Sequence, residues 1–256
     1  MLAPATPALA QDELHFCPNR PSLGASACVT DPGHVQVEIS VLDWQRDDRS
    51  DSREDQLLAA DLLARIGVSK STEVQLEWTT VGRVRERDKA TGTIASAARV
   101  GDLRLAVRQN LRNPDGHGLS FGVEPFVMLP VGRKPVGGGD WGAGAMIPVT
   151  YDLTDALNLA FTGQVAGLAD EDGNGRHLNY SGIVGLGYEL SKKVTLVSEI
   201  SVERDDDPEG GETHLVAAES IAWQPYQHVQ VDLLAAVGLN RETPDLRLAL
   251  GGAFLF

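Results

Sequence analysis

His34-Val35-Gln36-Val37-Glu38-Ile39-Ser40-Val41 alternates apolar and polar residues after its histidine. Val35, Val37, Ile39 and Val41 share one parity; Gln36, Glu38 and Ser40 share the other. Successive strand side chains point to opposite faces of a sheet, so the stretch reads as a strand with one apolar and one polar face. The same period returns downstream. Val74, Leu76 and Trp78 interleave with Glu73, Gln75, Glu77 and Thr79, and Leu103, Leu105 and Val107 with Asp102, Arg104, Ala106 and Arg108. Val229, Val231, Leu233, Ala235, Val237 and Leu239 form another such row.

About twelve segments carry the pattern, near 34–44, 56–67, 73–84, 99–111, 118–130, 140–151, 156–168, 178–190, 194–205, 213–224, 228–239 and 246–256. The segment 56–67 suits a strand or an amphipathic helix. The connections alternate in length. Long ones fall near 45–55, 85–98, 131–139, 169–177, 206–212 and 240–245, and most of the others are tight turns, as at Asp152–Asp155 and Ser191–Lys193. Long loops at one end and short turns at the other, with strands of ten to twelve residues, are the plan of a bacterial outer-membrane barrel. The predicted fold is all-β: a closed antiparallel transmembrane meander over 34–256, with both ends of the barrel on the short-turn side and the long loops outside the cell. Trp141 and Tyr151, ten residues apart on one face, fit the two membrane interfaces. Trp44 falls at the long-loop end, and Trp223 and Tyr226 at the short-turn end.

Composition narrows the classes further. The chain has 256 residues, 42% of them hydrophobic, too many for a disordered chain. Asp and Glu number 36 against 22 Lys and Arg, a net charge of −14, which argues against nucleic acid as a partner. The longest charge-free run, 156–169, has 14 residues and is too short and too polar for a spanning helix; a barrel needs no such run.

Ala8-Leu9-Ala10 has the small-x-small form of a signal-peptidase site, so residues 1–10 read as the remnant of a secretory signal. Residues 11–33 then form a periplasmic segment. Its Cys17 and Cys28 are the only cysteines, and an oxidising periplasm favours a disulfide between them. His15 and His34 flank the pair, but no His pair stands at zinc-ligand spacing.

Several stretches resemble a known family. Cys17-Pro18-Asn19-Arg20-Pro21, Cys28 and Gly33-His34-Val35-Gln36-Val37-Glu38 look like the start of the outer-membrane β-barrel proteins of the MetA-pathway-of-phenol-degradation family. Val100-Gly101-Asp102-Leu103-Arg104-Leu105 and Glu124-Pro125-Phe126-Val127-Met128-Leu129-Pro130 resemble its middle strands. The similarity covers residues 15–256. It implies a transporter-like barrel passing small organic compounds and carries over no catalytic or ligand residue.

Charge on the lipid face is costly, so parity assigns the charged strand residues to the lumen. The lumen-lining candidates are Glu38, Asp61, Arg65, Glu73, Glu77, Arg83, Arg104, Arg108, Glu124, Glu189, Glu199, Glu203, Asp232 and Arg247. Such a mixture of signs makes either a selective constriction or a structural plug of ion pairs. The terminal stretch Leu246–Phe256, with Phe254 and Phe256 on its apolar face, has the form of an assembly signal for the barrel assembly machinery. Asp170, Asp172 and Asn174 match the first half of a calcium loop, but position twelve is Ser181 rather than Glu, so they read as a solvated acidic turn, with a weak divalent-cation contact at the lipopolysaccharide surface as the alternative. His177, His214 and Ser181 lie near the long-loop end without a catalytic motif, and Gly182, Gly185 and Gly187 make no phosphate loop. The expected function is therefore passive passage of small organic, aromatic or apolar solutes across the outer membrane, without enzymatic chemistry or a cofactor. A non-conducting structural or adhesive barrel is the alternative. The expected partners are outer-membrane lipid and lipopolysaccharide.

Overall fold

The computed structural model describes residues 14–256. The expected signal remnant at 1–10 lies outside the described residues. Thirteen strands follow one another: β1 (Val35–Asp48), β2 (Ser52–Ser69), β3 (Thr72–Asp88), β4 (Ile94–Arg99), β5 (Leu103–Arg112), β6 (Leu119–Leu129), β7 (Gly142–Thr154), β8 (Leu157–Ala169), β9 (Arg176–Ser191), β10 (Val194–Asp205), β11 (Glu212–Tyr226), β12 (Val229–Gly238) and β13 (Leu246–Leu255). Twelve of them close an antiparallel barrel in which β1 pairs with β2 on one side and β13 on the other, from Gln36↔Leu255 to Arg46↔Leu246. Closure leaves no edge within the membrane, the condition a sheet must meet in lipid. β4 is the extra strand, laid on the upper part of β3 from Gly82↔Arg99 to Arg87↔Ile94.

The segment 56–67 is strand, the middle of β2, paired with β1 and β3 on both sides of a break at Ala60. Four of the long connections, near 45–55, 85–98, 169–177 and 206–212, are shorter than the sequence suggests, because strands run further into them. The stretch 45–55 is mostly hairpin, with only 49–51 outside strands, and 85–98 contains the end of β3 and most of β4. The longest connection is 130–141, between β6 and β7.

One irregularity crosses three strands at the same height. The β1–β13 register shifts between Ser40 and Leu42, Ala60 opposite has a positive φ of 51°, and Thr80 beside it bonds the Ala59 and Ala60 carbonyls. Below it Gln36, Glu38 and Ser40 face inward; above it the inward parity changes and Asp43 is buried. The change propagates into β3. Glu73 and Gln75 are buried below, whereas above it Gly82 and Val84 turn inward and Val81 is exposed. A bulge of this kind re-aims every later side chain.

The outer surface is apolar between two aromatic levels. Tyr151, Trp223 and Phe256 are exposed at the short-turn end, and Trp141 at the other. Val35 to Trp44, ten residues, covers about 23 Å of height at the usual strand tilt, matching an apolar band of about 25 Å. Glu219 breaks the band. It is exposed at the middle of β11, between Ser198 and Ala235 in register, on the outward parity of Ile221 and Trp223. Replacing Glu219 by Leu is expected to stabilise the barrel in a bilayer by about 1 kcal/mol. The midpoint of urea unfolding in lipid vesicles reads this, and a lower midpoint for the variant would contradict it.

Candidate functional site: the occupied lumen

Residues 14–33 do not lie outside the barrel but thread into its short-turn end. No periodic pattern makes them a strand; instead, side chains from around the wall hold their backbone. Arg20 and Asn19 donate backbone N–H groups to Glu38, Leu23 to Glu199, Ala25 to Thr162 Oγ1 and Thr30 to Glu73. Asn110 donates to the Ala27 carbonyl and Gln230 to that of Arg20. Ser22 Oγ donates to Glu199 at 2.5 Å, and the Arg20 guanidinium reaches Asp232 at 2.8 Å and also bonds Ser40. Cys17 and Cys28 form the disulfide the sequence suggested, and Ala27, Cys28 and Thr30 are fully buried.

Under this segment the charged candidates join in a chain of alternating sign. Arg65 contacts Glu38 at 3.2 Å and Glu73 at 2.9 Å, and Arg108 lies 3.4 Å from Glu73 and 2.7 Å from Glu124. Arg104 continues it, 2.7 Å from Glu124 and 3.4 Å from Glu77. The wall thus carries three arginines against four glutamates here, and Gln75 Nε2 bridges Glu73 and Glu124. Two arginines also serve the segment: Arg65 donates to the Cys17 and Cys28 carbonyls at 2.7 and 2.8 Å, and Arg108 to that of Cys28. Charges buried this deeply persist only when paired and hydrogen-bonded, and here the partner set is nearly complete.

The remaining candidates lie apart. Asp61 accepts from Thr79, Glu203 accepts from Asn179, and Arg247 forks onto Asp43 at 2.6 Å. Glu189 is exposed at the short-turn rim. Arg83 is a correction: the parity change at Val41, Ala60 and Thr80 turns it to the outer surface, where it pairs in register with Leu57 and Ala98.

The lumen is two-sided. Its charges concentrate on β1–β6, whereas β7–β11 present small residues inward, among them Gly144, Ala160, Ala166, Gly185, Ser220 and Ala222. Between the segment and that plainer wall a cleft of about 880 Å³ opens at the short-turn end, lined by Asn19, Ser22, Asn158, Ala160, Glu189 and Thr195 among others. In the upper half, Ala106, Phe126 and Ala166 pack together with Met128 and Leu168 against them, and the Arg104 guanidinium lies 4.2 Å from the Phe126 ring centre. Phe126, Thr162, Asn110, Arg20 and Asp43 escaped the sequence reading. Phe126 shares the parity of Glu124 and was legible on that ground; the others needed the segment or the bulge to be placed.

The acidic turn lies beyond the membrane at the long-loop end. Asn174 turns back onto Asp172, while Asp170 joins Asp207 at His177 Nδ1, at 3.0 and 3.3 Å, and Asp205 lies 2.9 Å from Nε2. His214 bonds Glu212. Burial of the His177 ring disfavours its charged form, but the Asp170 hydrogen bond and the Asp205 and Asp207 charges outweigh it, and the net shift is upward. A raised folded pKa means the clamp between loops 170–175 and 206–211 is fully present below the ordinary imidazole value, about 6.5, and lost as pH rises through the raised value. Protease nicking of those loops on intact cells should increase with pH across that window. In H177Q nicking should be high and flat; a pH-dependent H177Q profile would contradict the clamp.

No curated protein sequence matches the chain. Among solved structures it is similar to the COG4313 outer membrane channel from Pseudomonas putida F1, at 14% identity over 90% of this chain and 97% of that one, with a TM-score of 0.68. It is also similar to the KdgM porin in complex with disordered oligogalacturonate (8% identity, 84% and 98% covered, TM-score 0.52). The translocator domain of the autotransporter NalP from Neisseria meningitidis gives 13% identity, 89% and 90% covered, and the same 0.52. At these identities the likeness is one of fold, and the fold is that of outer-membrane barrels. The sequence profile described as "Putative MetA-pathway of phenol degradation" matches residues 18–256, and the chain, an outer-membrane β-barrel, belongs to that family.

Proposed function

We propose that the barrel passes small organic solutes with an apolar or aromatic body and one polar or anionic group, by passive diffusion past the N-terminal segment. The observation that carries this reading is the upper lumen, where Phe126, Met128 and Leu168 make an apolar wall beside the Arg104 guanidinium. The Arg104 guanidinium is shared with Glu77 and Glu124, so the site offers an apolar wall with one polar edge. That suits a solute of that description better than a sugar, which needs hydrogen-bonding groups on every side. The cleft on the β7–β10 side opens beside the segment at the short-turn end.

Liposome swelling with aromatic carboxylates against sugar acids of similar mass tests it. Faster swelling with the aromatic series is expected, with the preference reduced in F126A. Equal rates for both series would refute the solute class. The same segment, held around its length, favours the second reading, a non-conducting barrel, and that reading predicts no swelling with any solute.

A further inference from the structure

Arg83, Arg85 and Arg87 form a row on the outer face of β3, above the bulge. Among the described residues, none of the three guanidiniums has a hydrogen bond or ion pair, although the chain is acidic overall, with a net charge of −14. Their surroundings are built for exposure. The neighbouring β4 presents Ile94, Ser96 and Ala98 opposite them, side chains too small or apolar to pair with a guanidinium. On the other side, Asp55, the register partner of Arg85, is engaged by Arg46 and Arg53, both at 3.0 Å. Asp48 is taken by Lys89.

The height of the row is fixed by its register. Arg83 shares a rung with Leu57 and Trp44, the aromatic at the upper edge of the apolar band, and Arg46 stacks 4.6 Å from that ring. Arg85 and Arg87 lie one and two residue pairs further out, about 7 and 13 Å along the strand. Three unpaired cations therefore face outward, starting at the hydrocarbon boundary of the outer leaflet. The lipid of that leaflet is lipopolysaccharide, whose lipid A headgroup carries phosphates at this level. Guanidinium forks match phosphate oxygens in geometry as well as charge.

We propose that Arg83, Arg85 and Arg87 are a binding site for the phosphorylated headgroup of lipopolysaccharide. The sheet holds the three side chains at fixed spacing, so the site is preorganised for a headgroup with more than one phosphate. Phosphatidylglycerol, with a single phosphodiester, uses only part of it.

The test uses the full barrel purified in detergent, with folding checked by heat-modifiable gel mobility. The variant R83Q/R85Q/R87Q is compared with R112Q/R133Q/R241Q, which removes the same charge elsewhere. Lipid A, dephosphorylated lipid A and phosphatidylglycerol are the probes. Lipid A binding should weaken about tenfold or more in the first variant and stay unchanged in the second. Dephosphorylated lipid A should bind the unaltered barrel as weakly as lipid A binds the first variant. Equal losses in both variants, no loss in either, or equal binding of phosphatidylglycerol and lipid A would overturn the proposal. Should the first variant not fold, R83K/R85K/R87K serves in its place. It is expected to retain charge-driven binding but lose selectivity for lipid A over phosphatidylglycerol; unchanged selectivity would overturn the site.

Discussion

Deleting residues 14–31 is expected to raise the single-channel conductance of the barrel several-fold. A twelve-stranded barrel is intermediate in width between the side-chain-filled eight-stranded barrels and the open porins. Here the short-turn end is filled by a segment whose contacts reach β1, β3, β5, β8, β10 and β12. What remains is the cleft of about 880 Å³ along one side. Removing the segment restores the full cross-section and exposes the chain of Arg65, Glu73, Arg108 and Glu124 to water. Planar-bilayer recordings check the outcome, and a gel shift on heating confirms that the shortened barrel is folded. Unchanged conductance in a folded deletion variant would show that the segment is not what limits flow.

The second large effect is on stability. Arg65→Met should destabilise the barrel by about 3–5 kcal/mol, because it leaves charges uncompensated in a place water does not reach. Arg65 is fully buried, touches two glutamates and holds two carbonyls of the segment, so one substitution breaks wall and segment together. Arg104→Met should cost less, since its side chain is 14% exposed and Glu77 beside it is 44% exposed. Urea unfolding in vesicles gives both values. Equal small losses would mean that water already reaches the chain of charges and that the pairing contributes little.

The barrel was legible because lipid enforces a period of two. A membrane strand must present apolar side chains to lipid along its whole height, so Val35 to Val41 or Val229 to Leu239 state their own conformation. The same rule drew most charged residues into the lumen on paper. It failed for Arg83, because parity counts only while the pleat is regular, and the break at Val41, Ala60 and Thr80 leaves no mark in composition. Asp43 was missed for the same reason, being buried where simple alternation puts it outside. The end of β3 and most of β4 lie beyond the apolar band, where apolar alternation is no longer required, so 85–98 read as loop. The N-terminal segment is held by wall side chains rather than by a ladder of its own. Nothing in the run from Cys17 to Gly33 foretells Glu38, Glu199 and Asp232 as its partners, which come from β1, β10 and β12.

Arg20 and Asp232, joined within the lumen, are 212 positions apart in the chain. The segment is made before any wall strand exists, yet the groups that hold it come from strands as late as β12. Its local cross-link needs only Cys17 and Cys28, eleven positions apart, whereas its seat in the barrel needs nearly the whole chain. The earliest stretch of the described residues to be made is thus among the last to find all its partners.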